Sequence, residues 1–244
     1  MKPNIRPVAS CAALGAVLGM IAMPAFAVAD LSGTWVVEKP LTTMKTLQGK
    51  LPPLKPEALA VYKAHVAASR KGDRSWDPVS KCKPPGEPRT LVQDSWPFEL
   101  MQSEGRVDFL FQWNRLDRAI TIGTPKEANS GPYYFGQPVA HWDGGALVVE
   151  ATDFKENTTL DAAGLPHTED MVLTERFRVI NGGKTLEDRI HVSDPDTYTR
   201  GWDTVIRFKR MPAGTRIKED VCFERLKLND YATIDNSLTR TGSQ

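Results

Sequence analysis

This sequence contains few cysteines, few histidines and no excess of charge of either sign, and each shortage argues against a class of function. Its 244 residues include three cysteines and four histidines, and no cysteine has a second cysteine or a histidine at zinc-ligand spacing. The 31 basic and 30 acidic residues almost cancel, which argues against a nucleic-acid partner. Nucleophile-elbow, phosphate-loop and His-Glu-x-x-His motifs are missing. We therefore expect no metal, no cofactor and no nucleic acid.

No apolar run is long enough to span a membrane, but the N-terminus has the pattern of a signal peptide. Lys2 and Arg6 are followed by the largely apolar residues 11–23 and then by Ala25-Phe-Ala27. A signal peptidase recognises small residues at two alternate positions before the cleavage site, which are Ala25 and Ala27 here. We predict a signal peptide over residues 1–27, cleavage after Ala27 and a periplasmic protein kept apart from cytosolic ATP and NAD.

Cleavage at this point changes both the cysteine count and the charge. Cys11 is removed, which leaves Cys82 and Cys222, and loss of the two basic residues leaves 29 basic against 30 acidic residues. An even pair of cysteines in an oxidising compartment favours a disulfide. Two buried free thiols are the alternative.

The N-terminal part of the mature chain predicts one strand, one helix and an irregular segment. Residues 30–39 resemble a strand, and Glu57–Arg70 has Leu59, Tyr62 and Val66 at helical spacing behind a first-turn proline. Residues 72–89 are rich in proline, glycine and charge. We expect residues 28–95 to pack on residues 96–230 as one domain, followed by a flexible tail over residues 231–244.

From Trp96 onward, short strands alternate with turn signals. The predicted strands cover 107–113, 116–122, 137–142, 146–154, 171–180, 185–193, 202–210 and 221–226. Glycine pairs at 144–145 and 182–183 are typical of hairpins. With one helix and no alternation of strands and helices, the pattern predicts a mostly β fold, an antiparallel barrel or sandwich.

Strand alternation directs two carboxylates into the interior. Glu175 shares its face with Leu173 and Phe177, and Asp188 shares its face with Leu186 and Ile190. If the glycine turn joins these strands, the two carboxylates are opposite or diagonal neighbours. A shared site of low polarity would raise a pKa, as general acid or base catalysis requires. Pairing with an arginine, or a place at an open rim, is the alternative.

Two histidines are further candidates. His167 lies in a polar loop where Glu169 or Asp170 could orient its ring for acid or base chemistry. An exposed histidine in a simple turn is the alternative. His141 shares its strand face with Val139, which suggests an interior position.

Aromatic residues form a second possible site. A barrel mouth lined by aromatic side chains would take an apolar or aromatic ligand, although core packing also explains such residues. The candidates for ligand contact are Phe109, Phe111, Trp113, Tyr134, His141 and Trp202.

Several short motifs together resemble a largely uncharacterised family of secreted bacterial proteins of the sphingomonad and acidobacterium type. They are Leu31-Ser-Gly-Thr-Trp35, Cys82-Lys-Pro-Pro-Gly86, Pro97-Phe-Glu99, the segment 141–150, Asp153-Phe154, Asp161-Ala-Ala-Gly164, Pro166-His167-Thr-Glu169, Thr174-Glu-Arg-Phe177, Asp194-Pro195 and Cys222. The resemblance implies a lipocalin-like barrel. Family members usually carry a histidine after the strand that corresponds to residues 107–113, and this chain lacks that histidine. His167 and Glu169 are then the pair that matches the family.

Two functions follow from these observations. The first is a periplasmic lipocalin-like protein that binds a small apolar or aromatic molecule. The alternative is an enzyme without a cofactor, of hydrolase, lyase or isomerase type, that uses His167, Glu169, Glu175 and Asp188 as acid and base groups.

Overall fold

The computed structural model describes residues 29–93, 96–123 and 131–227. The predicted signal peptide, the tail and part of the segment after the aromatic strand lie outside these ranges. Within the described ranges, nine strands form one closed barrel. The strands are β1 (Gly33–Val37), β2 (Phe98–Ser103), β3 (Arg106–Phe111), β4 (Asp117–Ile122), β5 (Gln137–Asp143), β6 (Ala146–Thr152), β7 (Val172–Ile180), β8 (Thr185–Ser193) and β9 (Trp202–Arg210).

The barrel closes because β1 pairs with both β2 and β9. Trp35 lies opposite Phe98 on one side and Arg210 on the other. The other strands pair with their neighbours in chain order, and every pair except one is antiparallel. The mostly β barrel predicted from the strand spacing is therefore confirmed.

One pair of strands differs from the prediction of an antiparallel sheet. β4 and β5 run parallel, with Thr121 opposite Val139 and Ile122 opposite Ala140. A parallel pair needs a connection long enough to bring the chain back to the same end of the sheet, and residues 123–136 separate these two strands. The barrel is therefore mixed. The prediction missed the parallel pair because strand spacing along a sequence carries no information on strand direction.

The helices lie outside the sheet. They are α1 (Pro56–Arg70), α2 (Arg89–Val92) and α3 (Cys222–Lys227). α1 confirms the predicted helix, and it packs Leu59, Tyr62 and Val66 against the core. None of the helices in the described ranges is long and apolar enough to cross a membrane.

The predicted strand over residues 221–226 is wrong, because α3 occupies this position. The pairing of β1 with β9 leaves no free edge that could accept another strand. Cys222 instead forms a disulfide with Cys82, as the cysteine pair predicted. The disulfide packs against Val79 and Trp113.

Candidate functional site

Four ionisable side chains meet inside the barrel, and we call them the buried cluster. They are Arg118 on β4, Glu175 on β7, Asp188 on β8 and Glu87 on the segment before α2. All three carboxylates have no solvent exposure, and Arg118 is only 2 % exposed. Groups of this kind are rarely buried unless they are paired, so the cluster is the most unusual feature of the interior.

The strand register places two of the carboxylates as the alternation predicted. Glu175 lies opposite Ile190 and Phe177 lies opposite Asp188, so Glu175 and Asp188 are diagonal neighbours on β7 and β8. Both side chains point into the barrel between apolar residues, because every second side chain of a strand faces the same way. The prediction of a buried carboxylate pair is confirmed.

Arg118 pairs with Glu175, which is the pairing with an arginine that the sequence left open as the alternative to catalysis, although the sequence did not identify the arginine. Its Nη2 donates a hydrogen bond of 2.5 Å to Glu175 Oε2, and its Nη1 lies 3.8 Å from Glu87 Oε1. Arg118 shares its face of β4 with the buried Ile120. The alternation rule that selected Glu175 would therefore have placed Arg118 inside as well.

Glu87 could not be found in this way, because it lies on an irregular segment without a repeating pattern. Two contacts hold this segment in place. Arg89 Nη1 and Nη2 each donate a hydrogen bond of 2.8 Å to one oxygen of Asp77. Gly86 has a φ of +86°, and a Cβ atom there would lie 2.6 Å from Thr158 Cβ. Only glycine allows this close approach at a left-handed position, so Gly86 brings Glu87 into the barrel.

The cluster is far from satisfied by its own contacts. Seven of its buried polar atoms have no hydrogen-bond partner among the described residues, and we call them the unpartnered atoms. They are Glu87 Oε1 and Oε2, Glu175 Oε1, Asp188 Oδ1 and Oδ2, and Arg118 Nε and Nη1. Most buried polar groups in proteins have a hydrogen-bond partner, and each buried group without one lowers the free energy of unfolding by about 1–3 kcal/mol. This concentration of unpartnered atoms distinguishes the cluster from the rest of the interior.

Burial also changes the ionisation of two of the carboxyl groups. It raises the pKa of Glu87 to about 8, against the opposing charge of Arg118, and repulsion by Glu175 adds to the rise. Burial likewise raises the pKa of Asp188 well above its ordinary value, and Glu175 and Glu87 add to this rise. Arg118 opposes it, as does the backbone N–H of Arg176, which is not placed well enough to form a hydrogen bond. At neutral pH Glu87 is therefore mostly protonated, and Asp188 holds its proton more tightly than an exposed aspartate does.

His167 lies outside the buried cluster. Its Nδ1 is 2.8 Å from the carbonyl oxygen of Thr168, and its Nε2 is 2.7 Å from Thr158 Oγ1. Burial lowers the pKa of His167, so the ring is neutral and Nδ1 carries the proton that the carbonyl accepts. Both ring nitrogens are therefore engaged, Nδ1 by Thr168 and Nε2 by Thr158, whose side chain lies against Gly86. Glu169 is exposed at the surface, so the fold does not combine these predicted catalytic residues with Glu175 and Asp188.

The predicted aromatic residues are distributed over several places. Phe109 and Phe111 are buried in the barrel, and the ring centroid of Phe109 lies 5.2 Å from that of Phe177. Trp202 is buried against Tyr198. Phe111 also borders an open groove of about 610 Å³, and Trp202 borders one of about 380 Å³.

Three residues of this set lie away from the interior of the barrel. Trp113 follows the end of β3 and packs on the disulfide, so the prediction that it continues the aromatic strand face is wrong. His141 is exposed together with Val139, because Ala140 is the inward residue of β5, so its predicted interior position is also wrong. Tyr134 is half-buried, with Lys155 Nζ at 5.1 Å from its ring centroid.

The geometry gives no reason to assign a metal. Among the described residues, no group of three His, Cys, Asp or Glu side chains is arranged to hold a metal ion. No model of a known protein family matches the sequence, and no curated protein is detectably similar to it. The resemblance to secreted lipocalin-like proteins therefore stays a prediction.

Proposed function

We propose that this protein binds a small molecule inside its barrel, in the manner of a lipocalin, in the periplasm. One observation carries the proposal: seven buried polar atoms without a partner among the described residues lie beside a cluster of phenylalanine rings. Binding sites for small molecules are typically apolar, with a few convergent polar groups that orient the ligand. The buried cluster would supply the polar groups and the rings would supply the apolar wall.

The aromatic wall adjoins the polar cluster directly. Phe109 lies opposite Arg118 across β3 and β4, and Phe177 lies opposite Asp188 across β7 and β8. The Arg118 guanidinium carbon is 5.8 Å from the ring centroid of Phe109. A ligand with a polar end and an aromatic or apolar body would contact both kinds of surface, and rings favour offset or edge-on contact with another ring.

Ligand entry requires a movement of the chain, because the unpartnered atoms have no contact with solvent. Glu87 belongs to the buried segment Pro85–Gln93 rather than to a strand. Displacement of this segment would open the cluster without breaking the pairing of any strand. The ligand would then restore hydrogen bonds to the groups that the closed barrel leaves without partners.

Thermal unfolding in the presence of small aromatic compounds tests the proposal. A bound compound stabilises the folded state by mass action and raises the Tm with its concentration. The same compound should raise the Tm of Asp188→Asn less, because one polar wall of the site is changed. Glu150→Gln is the matched control, since Glu150 is exposed on the outer face of β6. Equal shifts in all three proteins would place the ligand elsewhere and reject the proposal.

A second candidate function is an enzyme without a cofactor that acts on a small aromatic-type substrate. It is favoured by the combination of a buried acid, Asp188, with Glu175 held by Arg118. A protonated carboxyl group can act as a general acid, and a carboxylate beside it can act as a general base. The reaction would be a hydrolysis, an elimination or an isomerisation.

A panel of aromatic esters, lactones and dimers tests this alternative. Turnover by the wild type that is lost in Asp188→Asn but kept in His167→Gln would assign catalysis to the cluster. Loss of turnover in His167→Gln and Glu169→Gln, with Asp188→Asn active, would assign it to the loop residues that the sequence predicted. If all variants and the wild type are inactive on the whole panel, the binding function is favoured.

A further inference from the structure

The unpartnered atoms of the buried cluster include more oxygens than nitrogens. Five are carboxyl oxygens, from Glu87, Glu175 and Asp188, and two are nitrogens of Arg118. An ionised carboxylate only accepts hydrogen bonds, and protonated Glu87 adds a single O–H donor, so a group with several donors would partner the remaining oxygens. An ammonium group has three N–H donors and no acceptor, whereas a hydroxyl has one donor and a carboxylate has none.

The cluster also contains more acidic groups than basic groups. Three carboxyl groups face one guanidinium, and the neighbouring buried cation Arg89 is already paired with both oxygens of Asp77. Arg118 neutralises one carboxylate, Glu175, through its hydrogen bond. Glu87 and Asp188 share the weaker influence of the same guanidinium, with Glu87 Oε1 at 3.8 Å from Arg118 Nη1, and neither has a hydrogen bond to a cation. A buried charge is stable only when it is paired, so a cation from outside would complete the site.

We propose that the ligand carries a protonated primary amine, which binds between Glu87, Glu175 and Asp188 with its apolar body against the phenylalanine rings. This inference rests on the proposed binding function and names the chemical class of the ligand. The ammonium group donates to the unpartnered carboxyl oxygens. Its approach favours the ionised form of a neighbouring acid, so that acid transfers its proton to the solvent and becomes the carboxylate partner of the ammonium group.

Two other ligand end groups would meet only part of what the cluster lacks. A quaternary ammonium ion has the charge but no N–H donors, so it would leave the same oxygens without partners. A carboxylate ligand would pair with Arg118 but would add a fourth acid group to the cluster. The primary amine is the group that answers both the excess of oxygens and the excess of acids.

Isothermal titration calorimetry with matched probes tests the inference. The probes are 2-phenylethylamine, 2-phenylethanol, 3-phenylpropanoate and the N-trimethylated form of the amine, together with the same four end groups on a two-ring body. We expect each primary amine to bind at least tenfold more tightly than the three partners with the same body. Titrations in two buffers of different ionisation enthalpy should report release of about one proton per bound amine at neutral pH.

Two variants locate the amine. Asp188→Asn and Glu87→Gln each keep the size of the side chain and remove one acid, and we expect each to reduce the preference for amine over alcohol at least tenfold. Glu150→Gln on the outer face should leave the preference unchanged. Circular dichroism of each variant checks that the barrel is folded. If one variant fails to fold, the other still answers the question.

The results separate failure of the inference from failure of the proposed function. Binding of the alcohol or the carboxylate as tight as that of the amine overturns the amine assignment and leaves small-molecule binding standing. Tight amine binding that is unchanged in both acid variants also overturns the assignment, because the amine would then lie elsewhere. If no probe of either body size binds, both the inference and the proposed function are rejected.

Discussion

Replacing the buried carboxyl group of Glu87 by an amide should make the barrel more resistant to alkaline conditions. Burial raises the pKa of Glu87 from its ordinary value of 4.5 to about 8. The folded state therefore holds the proton more tightly than the unfolded state does. The stability linked to this proton is fully present below about pH 4.5 and is lost as the pH rises through about 8. Glu87→Gln removes this loss because an amide does not ionise.

The size of the effect follows from the two pKa values. A tenfold change in proton affinity is worth about 1.4 kcal/mol. The free energy of unfolding of the wild type should thus fall by roughly 5 kcal/mol through Glu87 over the whole titration, and by about 2 kcal/mol between pH 6 and pH 8. Asp188 titrates in addition, but it is present in both proteins. Glu87 contributes to the raised pKa of Asp188, so the difference between variant and wild type reports Glu87 together with this effect, which acts in the same direction.

Urea denaturation at several pH values between 6 and 8 measures this difference. We expect the free energy of unfolding of Glu87→Gln, relative to that of the wild type, to increase by about 2 kcal/mol across this range. Glu150→Gln makes the same chemical change at an exposed position of β6, and its curve should stay parallel to that of the wild type. A parallel curve for Glu87→Gln as well would refute the reasoning, because Glu87 would then ionise as freely in the folded protein as in the unfolded chain.

Three further perturbations test the elements around the cluster. Replacing Cys82 and Cys222 together by alanine should lower the free energy of unfolding by about 5 kcal/mol, because the disulfide closes a loop with a sequence separation of 140; equal urea midpoints with and without the bridge would contradict this. Gly86→Ala should destabilise by about 1–3 kcal/mol through its left-handed φ, and a double-mutant cycle with Thr158→Gly should recover part of the loss, because glycine lacks the Cβ that the new methyl group would meet. Because burial lowers the pKa of His167, wild-type stability should fall as the pH drops below about 6.5, and His167→Gln should show a smaller fall in urea titrations from pH 7 to pH 5.

The alternation of side chains along a strand accounts for the part of the site that could be predicted. It places Glu175 and Asp188 inside from sequence alone, because the strands are long and apolar on one face. The same rule applies to Arg118, whose neighbour Ile120 is buried on the same face of β4. It failed for His141, since Val139 is an apolar residue on the outer face of β5. One apolar neighbour is too little to decide which face of a strand is inside.

Other features depend on contacts between distant parts of the chain, which local patterns do not reveal. Glu87 reaches the interior through the approach of Gly86 to Thr158, and these residues are far apart in sequence. The parallel pairing of β4 and β5 depends on the path of the connection between them. The helix at Cys222 depends on the closure of the barrel by β1 and β9. Each of these is a tertiary effect that overrides local preference.

The energetics of the buried cluster are themselves an argument for function. A protein selected for stability alone would gain from apolar side chains at these positions, because replacing a buried ionic group by apolar residues of similar volume is often neutral or stabilising. The cluster instead holds three carboxyl groups and one guanidinium, and seven of their atoms have no partner among the described residues. The proposed binding function would explain why the cluster is retained, since activity commonly costs stability. Asp188→Leu therefore tests the role of the cluster. If Asp188 has no function, the variant should gain free energy of unfolding and keep its ligand affinity. If Asp188 binds the ligand, the variant should gain free energy of unfolding and lose affinity.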